Sequence, residues 1–247
     1  MNTYRTAEIA NIIGIHPNTV RLYEKLELIP KPERKPNGYR IFTDFHIEQF
    51  RLARLAFRVE VLQNGLRKKI VQTVKASAAG DFDTALLLAE DYLHQIKQER
   101  SKAEEAVMIV KQMLSGGVPE NSHFFKRKEV SEYLGISMDA LRNWEMNGLI
   151  TVKRKQNGYR VYTDEDIQRL KIIRSLRCAN YSLEAILCML RQISENPDAD
   201  IKAVLNIPKQ DSDIISVCDR LIASLSEAEE NAYKIISMLE NMKIRFL

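Results

Sequence analysis

Two stretches of the chain place the same cations and the same tyrosine around an Asn-Gly pair: RKPNGYRIFTD at 34–44 and RKQNGYRVYTD at 154–164. Eight of the eleven positions are identical. Lysine and arginine neutralise phosphates, and each neutralised phosphate releases counterions from a nucleic-acid backbone. A single basic turn could equally well face solvent, but the same turn written twice favours phosphate binding. The candidates for backbone contact are Lys35, Tyr39, Arg40, Lys155, Tyr159 and Arg160.

A second group of candidates lies on the short helix predicted upstream of each basic turn. The N-terminus of a helix favours an anion, and asparagine or threonine there can reach base edges in the major groove. An aspartate can accept a hydrogen bond from the amine of a cytosine, or it can weaken binding. The two aromatic members suit a core role and a DNA contact equally well. This group comprises Asn18, Thr19, Arg21, Tyr23, Asp139, Arg142 and Trp144.

The elements that carry these residues are predicted to be helix-turn-helix units. Apolar residues recur at helical spacing before Gly14 and again before Gly135, where the first helix of each unit is expected to end. Pro17 suits the first position of the following helix in the first copy, and Ser137 suits the N-cap in the second. Two short helices joined by a turn of about three or four residues make a helix-turn-helix.

Each basic turn is predicted to be the tip of a hairpin. The Asn-Gly pairs are typical of a type I′ turn, in which both residues adopt positive φ. The residues that follow them alternate as in a half-exposed strand. Thr43 and Thr163 are candidates for the cap of a further helix. Helix-turn-helix, hairpin and helix together predict a winged helix in each copy.

The whole unit is duplicated within the chain. Gly14 matches Gly135 at an offset of 121 residues, and Gly38 matches Gly158 at an offset of 120. The two registers align about 4–58 with about 125–177. This period is far longer than that of a solenoid repeat, so the repeated unit is a domain.

The bulk composition bounds the class of protein. The 247 residues are enough for roughly two domains, and 45% of them are apolar, so sizeable cores are expected. There is no run of about 18 apolar residues, and the polar N-terminus lacks the pattern of a signal peptide. We therefore expect a cytoplasmic protein without a membrane partner. The net charge of +4 is too small to identify a partner by itself.

The cysteines and histidines predict neither a metal site nor a cofactor. Cys178, Cys188 and Cys218 are odd in number, which suits a reducing compartment, and Cys218 is the one candidate for redox chemistry. The histidines lack the spacing of metal ligands. The sequence has no phosphate-cradling glycine loop, recognisable carboxylate pair or nucleophile motif, so we do not expect an enzyme.

Two stretches of the chain carry a family resemblance, TVRLYEKLELI…NGYRIF and ALRNWEMNGLI…NGYRVY. In both stretches the chain resembles the MerR family of bacterial transcription regulators. The second copy continues the resemblance into YSLEAI, at the start of the family's next helix. The resemblance implies promoter DNA and RNA polymerase as partners. It also implies DNA contacts from an arginine and an aromatic residue of the recognition helix, and from the tyrosine and arginine of the wing. By position these are Arg21, Tyr23, Tyr39, Arg40, Arg142, Trp144, Tyr159 and Arg160.

The chain departs from the family pattern at the recognition helices. Members of the family usually have tyrosine where this chain has Leu22 and Asn143, so we expect a backbone contact to be missing there. A glycine normally ends the recognition helix. The second copy keeps Gly148, but the first has Glu27, and a residue other than glycine in the left-handed conformation costs roughly 1 kcal/mol. We therefore expect a strained or rearranged turn at Glu27.

The resemblance also implies a long helix after each winged helix, paired antiparallel with the other. In both segments, apolar residues repeat every seven positions in a main row, and a second, companion row of apolar residues runs beside it. One polar residue interrupts each companion row, Glu99 in the first segment and Asn231 in the second. The first register comprises Ala89, Ile96, Ala103 and Val110, with Tyr92, Ala106 and Met113 as companions. The second comprises Ile214, Leu221, Ala228, Ile235 and Met242, with Val217 and Met238 as companions. The alternative is that each helix packs only on its own domain.

The predicted fold is mostly α: two winged helix-turn-helix domains, each followed by a long helix, with the two long helices forming an antiparallel coiled coil. The second long helix reaches the last residue, so no separate effector domain is expected. The predicted boundaries are 1–80 for the first winged helix, 81–114 for its long helix, 115–124 for a linker, 125–210 for the second winged helix and 211–247 for the second long helix.

The predicted function is sequence-specific DNA binding by a transcription regulator that acts as a single-chain pseudo-dimer. Because Asp139 replaces Asn18 on the presumed DNA face, the two half-sites of its promoter should differ. The resemblance implies that the protein distorts the promoter spacer. A homodimer is the alternative assembly. The alternative functions are an architectural DNA-bending or recombination factor that does not act on RNA polymerase, and a coiled-coil adaptor with vestigial DNA modules.

Overall fold

The structure is a computed structural model that describes residues 2–58, 65–114, 123–154, 158–195 and 214–247. Of these, residues 111–114, 192–195 and 214–219 are described by their backbone alone. The described chain is mostly helical, with short strands in small antiparallel sheets. It divides into two compact units, Met1–Lys97 with Ser226–Leu247, and Gln98–Leu225.

The first compact unit contains a winged helix, which we call module 1 (residues 3–78). In chain order its elements are β1 (Thr3–Tyr4), α1 (Thr6–Ile13), α2 (Pro17–Lys25), β2 (Glu33–Arg34), β3 (Arg40–Thr43), α3 (Asp44–Ala56) and α4 (Leu66–Ala78). The strand order is β1-β3-β2, with Thr3 opposite Thr43 and Arg34 opposite Arg40. Helices α1 and α2 form the helix-turn-helix, α2 is the recognition helix, and the β2–β3 hairpin is the wing.

The second compact unit contains module 2 (residues 125–195), which repeats this order. Its elements are β4 (Phe125–Lys126), α6 (Arg127–Leu134), α7 (Met138–Met146), β5 (Lys153–Arg154), β6 (Arg160–Tyr162), α8 (Asp164–Cys178) and α9 (Leu183–Glu195). The strand order is β4-β6-β5, with Arg154 opposite Arg160. The recognition helix is α7. Two winged helix-turn-helix modules are therefore present, as predicted.

Two long helices complete the fold: α5 (Phe82–Leu114) and α10 (Ile214–Phe246). Each has 33 residues, which corresponds to about 50 Å of helix. The part of α5 up to Lys97 and the part of α10 from Ser226 belong to the first unit, and the remaining parts belong to the second.

Local capping residues define the helix-turn-helix boundaries as predicted. Helix α1 ends at Gly14 and α6 ends at Gly135, both in the left-handed conformation. Pro17 is the first residue of α2, and the hydroxyl of Ser137 accepts a hydrogen bond from Ala140 N–H at 3.0 Å to cap α7. These short-range preferences act within one turn of helix, which is why the sequence alone predicts them.

The wing of module 1 is not the predicted type I′ hairpin. Gly38 N–H donates to the Lys35 carbonyl at 2.8 Å, and Gly38 has a φ of 82°, whereas the φ of Asn37 is not positive. Pro36 precedes Asn37, and its fixed φ suits the start of a type I turn that is followed by a left-handed glycine. The prediction failed because it treated the Asn-Gly pair as a two-residue loop. The equivalent Asn157 lies outside the described residues.

Each module has its own hydrophobic core, and the cores fix the orientation of the recognition helices. Val20 on α2 and Leu141 on α7 are fully buried. The core of module 1 comprises Ile9, Ala10, Val20, Ile29, Phe42, Ile47 and Phe50. In module 2, α6, α7 and α8 meet around Val130, Leu141, Leu149, Leu170 and Ile173. With Val20 and Leu141 turned inward, the opposite faces of the recognition helices remain accessible.

The long helices bury most of the predicted apolar rows, with one correction. In α5 the buried residues include Ala89, Tyr92, Ile96, Glu99, Ala103, Ala106 and Val110. In α10 the buried residues include Leu221, Leu225, Ala228, Ala232, Ile235, Leu239 and Met242. The second buried row of α10 thus runs through Leu225, Ala232 and Leu239. The predicted companion Met238 precedes Leu239 and is only half-buried. The side chains of Met113, Ile214 and Val217 lie outside the described set.

Each compact unit packs part of a long helix against its winged helix. In the second unit, Glu99 and Glu105 on α5 pair with Arg174 and Lys171 on α8. In the first unit, the ring of Phe246 on α10 lies 5.1 Å from that of Phe45 on α3, centroid to centroid. Module 1 is therefore packed against the end of the helix that follows module 2, and module 2 against the end of the helix that follows module 1.

Candidate nucleic-acid interface

The recognition helices present different chemical groups on their accessible faces. On α2, Asn18 and Arg21 are exposed, and Arg21 Nη1 donates to Asn18 Oδ1 at 3.3 Å; Thr19 is half-buried. On α7, the equivalent exposed residues are Asp139 and Arg142. One face therefore offers an amide and a cation, and the other a carboxylate and a cation. These groups suit different base edges in the major groove.

The wing arginines are held by carboxylates of the recognition helices. Arg40 Nε donates to Glu24 Oε2 at 2.6 Å, and Arg160 Nε donates to Glu145 Oε2, also at 2.6 Å. A second arginine of each wing lies near the same carboxylate, at 3.6 Å in module 1 and 3.9 Å in module 2. This arrangement, which sequence reasoning missed, ties wing and recognition helix together. The recurrence of glutamate and arginine at the aligned positions was the signal that could have found it.

The remaining wing candidates lie near the tips of the hairpins. Tyr39 and Tyr159 are strongly exposed, and Lys35 is exposed next to the turn. Lys155 lies outside the described residues. An exposed tyrosine beside a cation suits a sugar-phosphate backbone, because the hydroxyl can donate a hydrogen bond and the ring can cover apolar sugar atoms.

The burial of Trp144 favours the core role over the DNA contact, two roles that the sequence left open. Only 5% of its surface is exposed, and it packs in the core of module 2. Its large apolar ring thus contributes to the packing of α7 on the module. Its counterpart Tyr23 is half-buried, and its ring stacks on that of Phe50 with 5.3 Å between centroids. Tyr23 therefore has a packing role and retains one accessible edge.

The positions that depart from the family pattern also differ between the modules. Leu22 and Leu26 leave an apolar stripe about half exposed on α2. Their counterparts on α7 are Asn143 and Asn147, and Asn147 Nδ2 donates to Asn143 Oδ1 at 2.8 Å. The second recognition helix thus carries an amide pair where the first carries two leucines.

The end of the recognition helix in module 1 is strained as predicted. Glu27 has a φ of 58°, in the left-handed region, and Gly148 at the equivalent position has a φ of 73°. The carboxylate of Glu27 also accepts from Lys75 Nζ on α4 at 3.0 Å. Because that pair is largely exposed, it offsets little of the backbone strain.

The thiol and metal chemistry of the described residues is limited. Burial raises the pKa of the Cys178 thiol to about 12, with nearby Glu99 acting in the same direction. This thiol is therefore protonated and unreactive at neutral pH. The side chain of Cys218, the redox candidate, lies outside the described set. Among the residues that the structure describes, no cluster of His, Cys, Asp and Glu side chains could hold a metal ion. None of the described helices is long and apolar enough to cross a membrane.

The duplicated helix-turn-helix, with a basic wing beside each recognition helix, defines a winged-helix DNA-binding protein with two modules. Known protein families agree with this class. A family described as "MerR family regulatory protein" matches residues 5–42, and one described as "MerR HTH family regulatory protein" matches residues 125–193. The chain belongs to the MerR family and is a DNA-binding transcription regulator.

Several curated proteins are similar to this chain. The mercuric resistance operon regulatory protein of Bacillus cereus is 28% identical over 127 residues, which cover 50% of this chain and 91% of that protein. The HTH-type transcriptional regulator CueR of Salmonella typhi is 31% identical over 103 residues, covering 38% and 75%. The HTH-type transcriptional regulator AdhR of Bacillus subtilis is 36% identical over 80 residues, covering 32% and 56%. These relatives are regulators rather than enzymes. No solved structure matches the chain.

Proposed function

We propose that this chain regulates transcription as a single-chain pseudo-dimer on a promoter with two non-identical half-sites. Each module supplies one recognition helix and one wing, and the two long helices replace the pairing of two separate subunits. The antiparallel coiled coil expected from the sequence is part of this proposal. One polypeptide thereby does the work of a symmetric dimer while its two DNA faces differ.

The reciprocal packing of the long helices is the observation that carries this proposal. Helix α5 follows module 1 but pairs with module 2 through Glu99 and Glu105. Helix α10 follows module 2 but places Phe246 beside Phe45 of module 1, and Arg245 lies 3.8 Å from Glu48. An exchange of this kind is what two subunits of a symmetric dimer would make through a two-fold axis. Within one chain it favours intramolecular pairing over association with a second copy.

The difference between the recognition faces supports an asymmetric operator. Asn18 can bond both the acceptor and the donor edge of adenine, whereas Asp139 can only accept, for example from a cytosine amine. Half-sites bound by two modules on one face of the duplex should be separated by about one helical turn, roughly 34–36 Å.

RNA polymerase is the proposed second partner. We propose that the protein acts on polymerase indirectly, by changing the shape of the promoter DNA. A regulator that binds two half-sites at once can bend or untwist the DNA between them. We propose that this distortion brings the promoter elements on either side of an overlong spacer into register for polymerase.

Selection of bound fragments from genomic DNA, followed by footprinting and light scattering, tests the proposal. The expected footprint has two protected blocks of different sequence within a promoter spacer, and the complex contains one chain per operator. A complex that requires two chains, or a footprint of one short block, contradicts the pseudo-dimer. Binding at recombination sites without an effect on transcription in vitro would instead identify an architectural factor.

A further inference from the structure

An open cavity of about 860 Å³ lies in module 1 beside the end of the recognition helix. Four parts of the module form it: α2, the segment that leads from α2 into the wing, the start of β3, and the C-terminal end of α4. Ile29 and Ala78, which are buried, provide apolar walls together with Pro30. The cavity therefore has an apolar interior that is open to solvent on one side.

The charged side chains around this cavity do not cancel. Five cations line it, namely Arg21, Lys25, Lys31, Arg40 and Lys75, against the two carboxylates of Glu24 and Glu27. The difference is three positive charges. Both carboxylates are already engaged, Glu24 by Arg40 and Glu27 by Lys75. The excess charge creates a positive potential that favours a phosphate-bearing occupant.

Two lysines of the cavity have no acidic partner within the described part of the chain: Lys25 on α2 and Lys31 in the segment before the wing. Module 2 lacks both charges. Met146 stands at the position equivalent to Lys25, and the segment opposite Lys31 is Thr151–Val152. Since module 2 forms the same fold without these lysines, the fold does not require them. Their positive charge is a property of module 1 alone.

We infer that this cavity receives the sugar-phosphate backbone of DNA next to the half-site of module 1. The inference rests on the proposed function and adds to it a site outside the recognition face. The cavity is continuous with the candidate interface, because Arg21 of the recognition helix and Arg40 of the wing line it. Lysines suit the phosphates and the apolar walls suit the deoxyribose. Within this cavity, module 1 offers DNA phosphates two lysines that module 2 does not have at the aligned positions.

Salt dependence of DNA binding by the full chain tests the inference. Lys25→Met installs the residue of module 2, and Lys31→Thr removes the second charge with a residue from the equivalent segment. Each lost phosphate contact should reduce the slope of log K against log salt concentration by about 0.9, and the double variant by about 1.8. Between about 50 and about 200 mM salt, the double variant should then lose roughly tenfold less affinity than the wild type. Lys234→Met, on the exposed side of α10, is the matched control and should leave the slope nearly unchanged.

The outcomes separate this inference from the proposed function. A double variant with the slope of the wild type, on a fragment that both bind, overturns the role of the cavity and leaves the regulator intact. A wild type that binds no DNA at low salt overturns both. Calorimetric titration with inorganic pyrophosphate distinguishes the source of the phosphate. Lysine-dependent pyrophosphate binding with unchanged DNA slopes would assign the cavity to a small anion instead.

Discussion

Glu99 on α5 and Arg174 on α8 form a buried, bidentate ion pair. Arg174 Nη1 donates to Glu99 Oε2 at 3.0 Å and Nη2 donates to Oε1 at 2.7 Å, while Nε donates to the Leu134 carbonyl at 2.8 Å. The side chains are 7% and 4% exposed for arginine and glutamate, respectively. The pair joins the long helix, α8 and the last residue of α6, so it fixes module 2 on α5.

Removing one partner of this pair should strongly destabilise the second unit. Glu99→Ala leaves the Arg174 guanidinium buried without its counter-charge, which costs about 3–5 kcal/mol. The matched control is Glu227→Ala, because Glu227 pairs with Arg58 at 3.3 Å in the first unit but is half exposed. That substitution should cost less than about 1 kcal/mol. Chemical denaturation followed by circular dichroism gives both values, and equal losses would contradict the role assigned to burial.

Replacing Glu27 by glycine should stabilise module 1. The left-handed conformation at this position costs a residue with a side chain roughly 1 kcal/mol, which glycine avoids, and the exposed pair with Lys75 contributes little. The reverse change at the equivalent position, Gly148→Ala, should destabilise module 2 by a similar amount. Thermal unfolding measures both, and a loss of stability in Glu27→Gly would show that the contact with Lys75 outweighs the strain.

Replacing Arg40 and replacing Glu24, which form the ion pair between wing and recognition helix in module 1, should change DNA affinity in opposite directions. Arg40→Ala should weaken binding to all sequences and lower the salt slope by about 1, since one phosphate contact is lost. Glu24→Gln should raise the affinity for DNA. The carboxylate that it removes repels phosphate and neutralises the charge of Arg40. Fluorescence anisotropy at several salt concentrations measures the two slopes. An unchanged slope for Arg40→Ala would exclude the wing from the interface.

Acid should destabilise module 1 through His46. Burial lowers the pKa of His46 to about 4 from an ordinary value of 6.5, and its Nδ1 accepts from the Thr43 N–H at 3.0 Å. Below about pH 6.5 the unfolded chain binds a proton at His46, whereas the folded state does not until about pH 4. The free energy of unfolding therefore decreases as the pH falls from about 6.5 to about 4. The loss amounts to about 3 kcal/mol.

The variant His46→Gln isolates this contribution, because glutamine keeps a neutral acceptor for the cap of α3 without a titrating group. Urea unfolding at neutral and mildly acidic pH should show a smaller loss for the variant than for the wild type. Parallel pH profiles for the two proteins would mean that other groups cause the acid sensitivity.

Exchanging one residue should make the two DNA faces more alike. Asp139→Asn gives α7 the amide that Asn18 provides on α2, so base preference in the second half-site should move towards that of the first. A good bidentate contact is worth about 1–3 kcal/mol of discrimination. Binding selection with randomised half-sites measures the change. Uniform weakening of all sequences would argue against direct base contact by this residue.

Features that depend on neighbouring residues were predictable from the sequence. The end of α1 at Gly14, the start of α2 at Pro17 and the strain at Glu27 each follow from conformational preferences within one turn. The duplication also predicted two winged helices, because any local signal found in one copy could be checked in the other. The same reasoning failed at the wing, where Pro36 changed the type of turn.

Features that join distant elements were not predictable. Glu99 was interpreted only as a polar interruption of an apolar row, since its partner Arg174 is remote in sequence and charged residues usually face water. The buried position of Trp144 depends on packing between α7 and its neighbours, and an aromatic on a short helix has no local signal that separates core from contact. The cavity beside Lys25 required the end of α4, which no local pattern places there.

The first compact unit is assembled from two segments that lie far apart in the sequence, Met1–Lys97 and Ser226–Leu247. Separate expression of the two copies would therefore leave one fragment without Met242 and Phe246, which belong to the first unit, and the other without the part of α5 from Gln98 onward, which belongs to the second. Neither copy, separated from the other, keeps all the residues of its own compact unit. Under the proposed function, keeping both copies on one chain allows their recognition faces to diverge, so that a single gene product can bind an operator without symmetry.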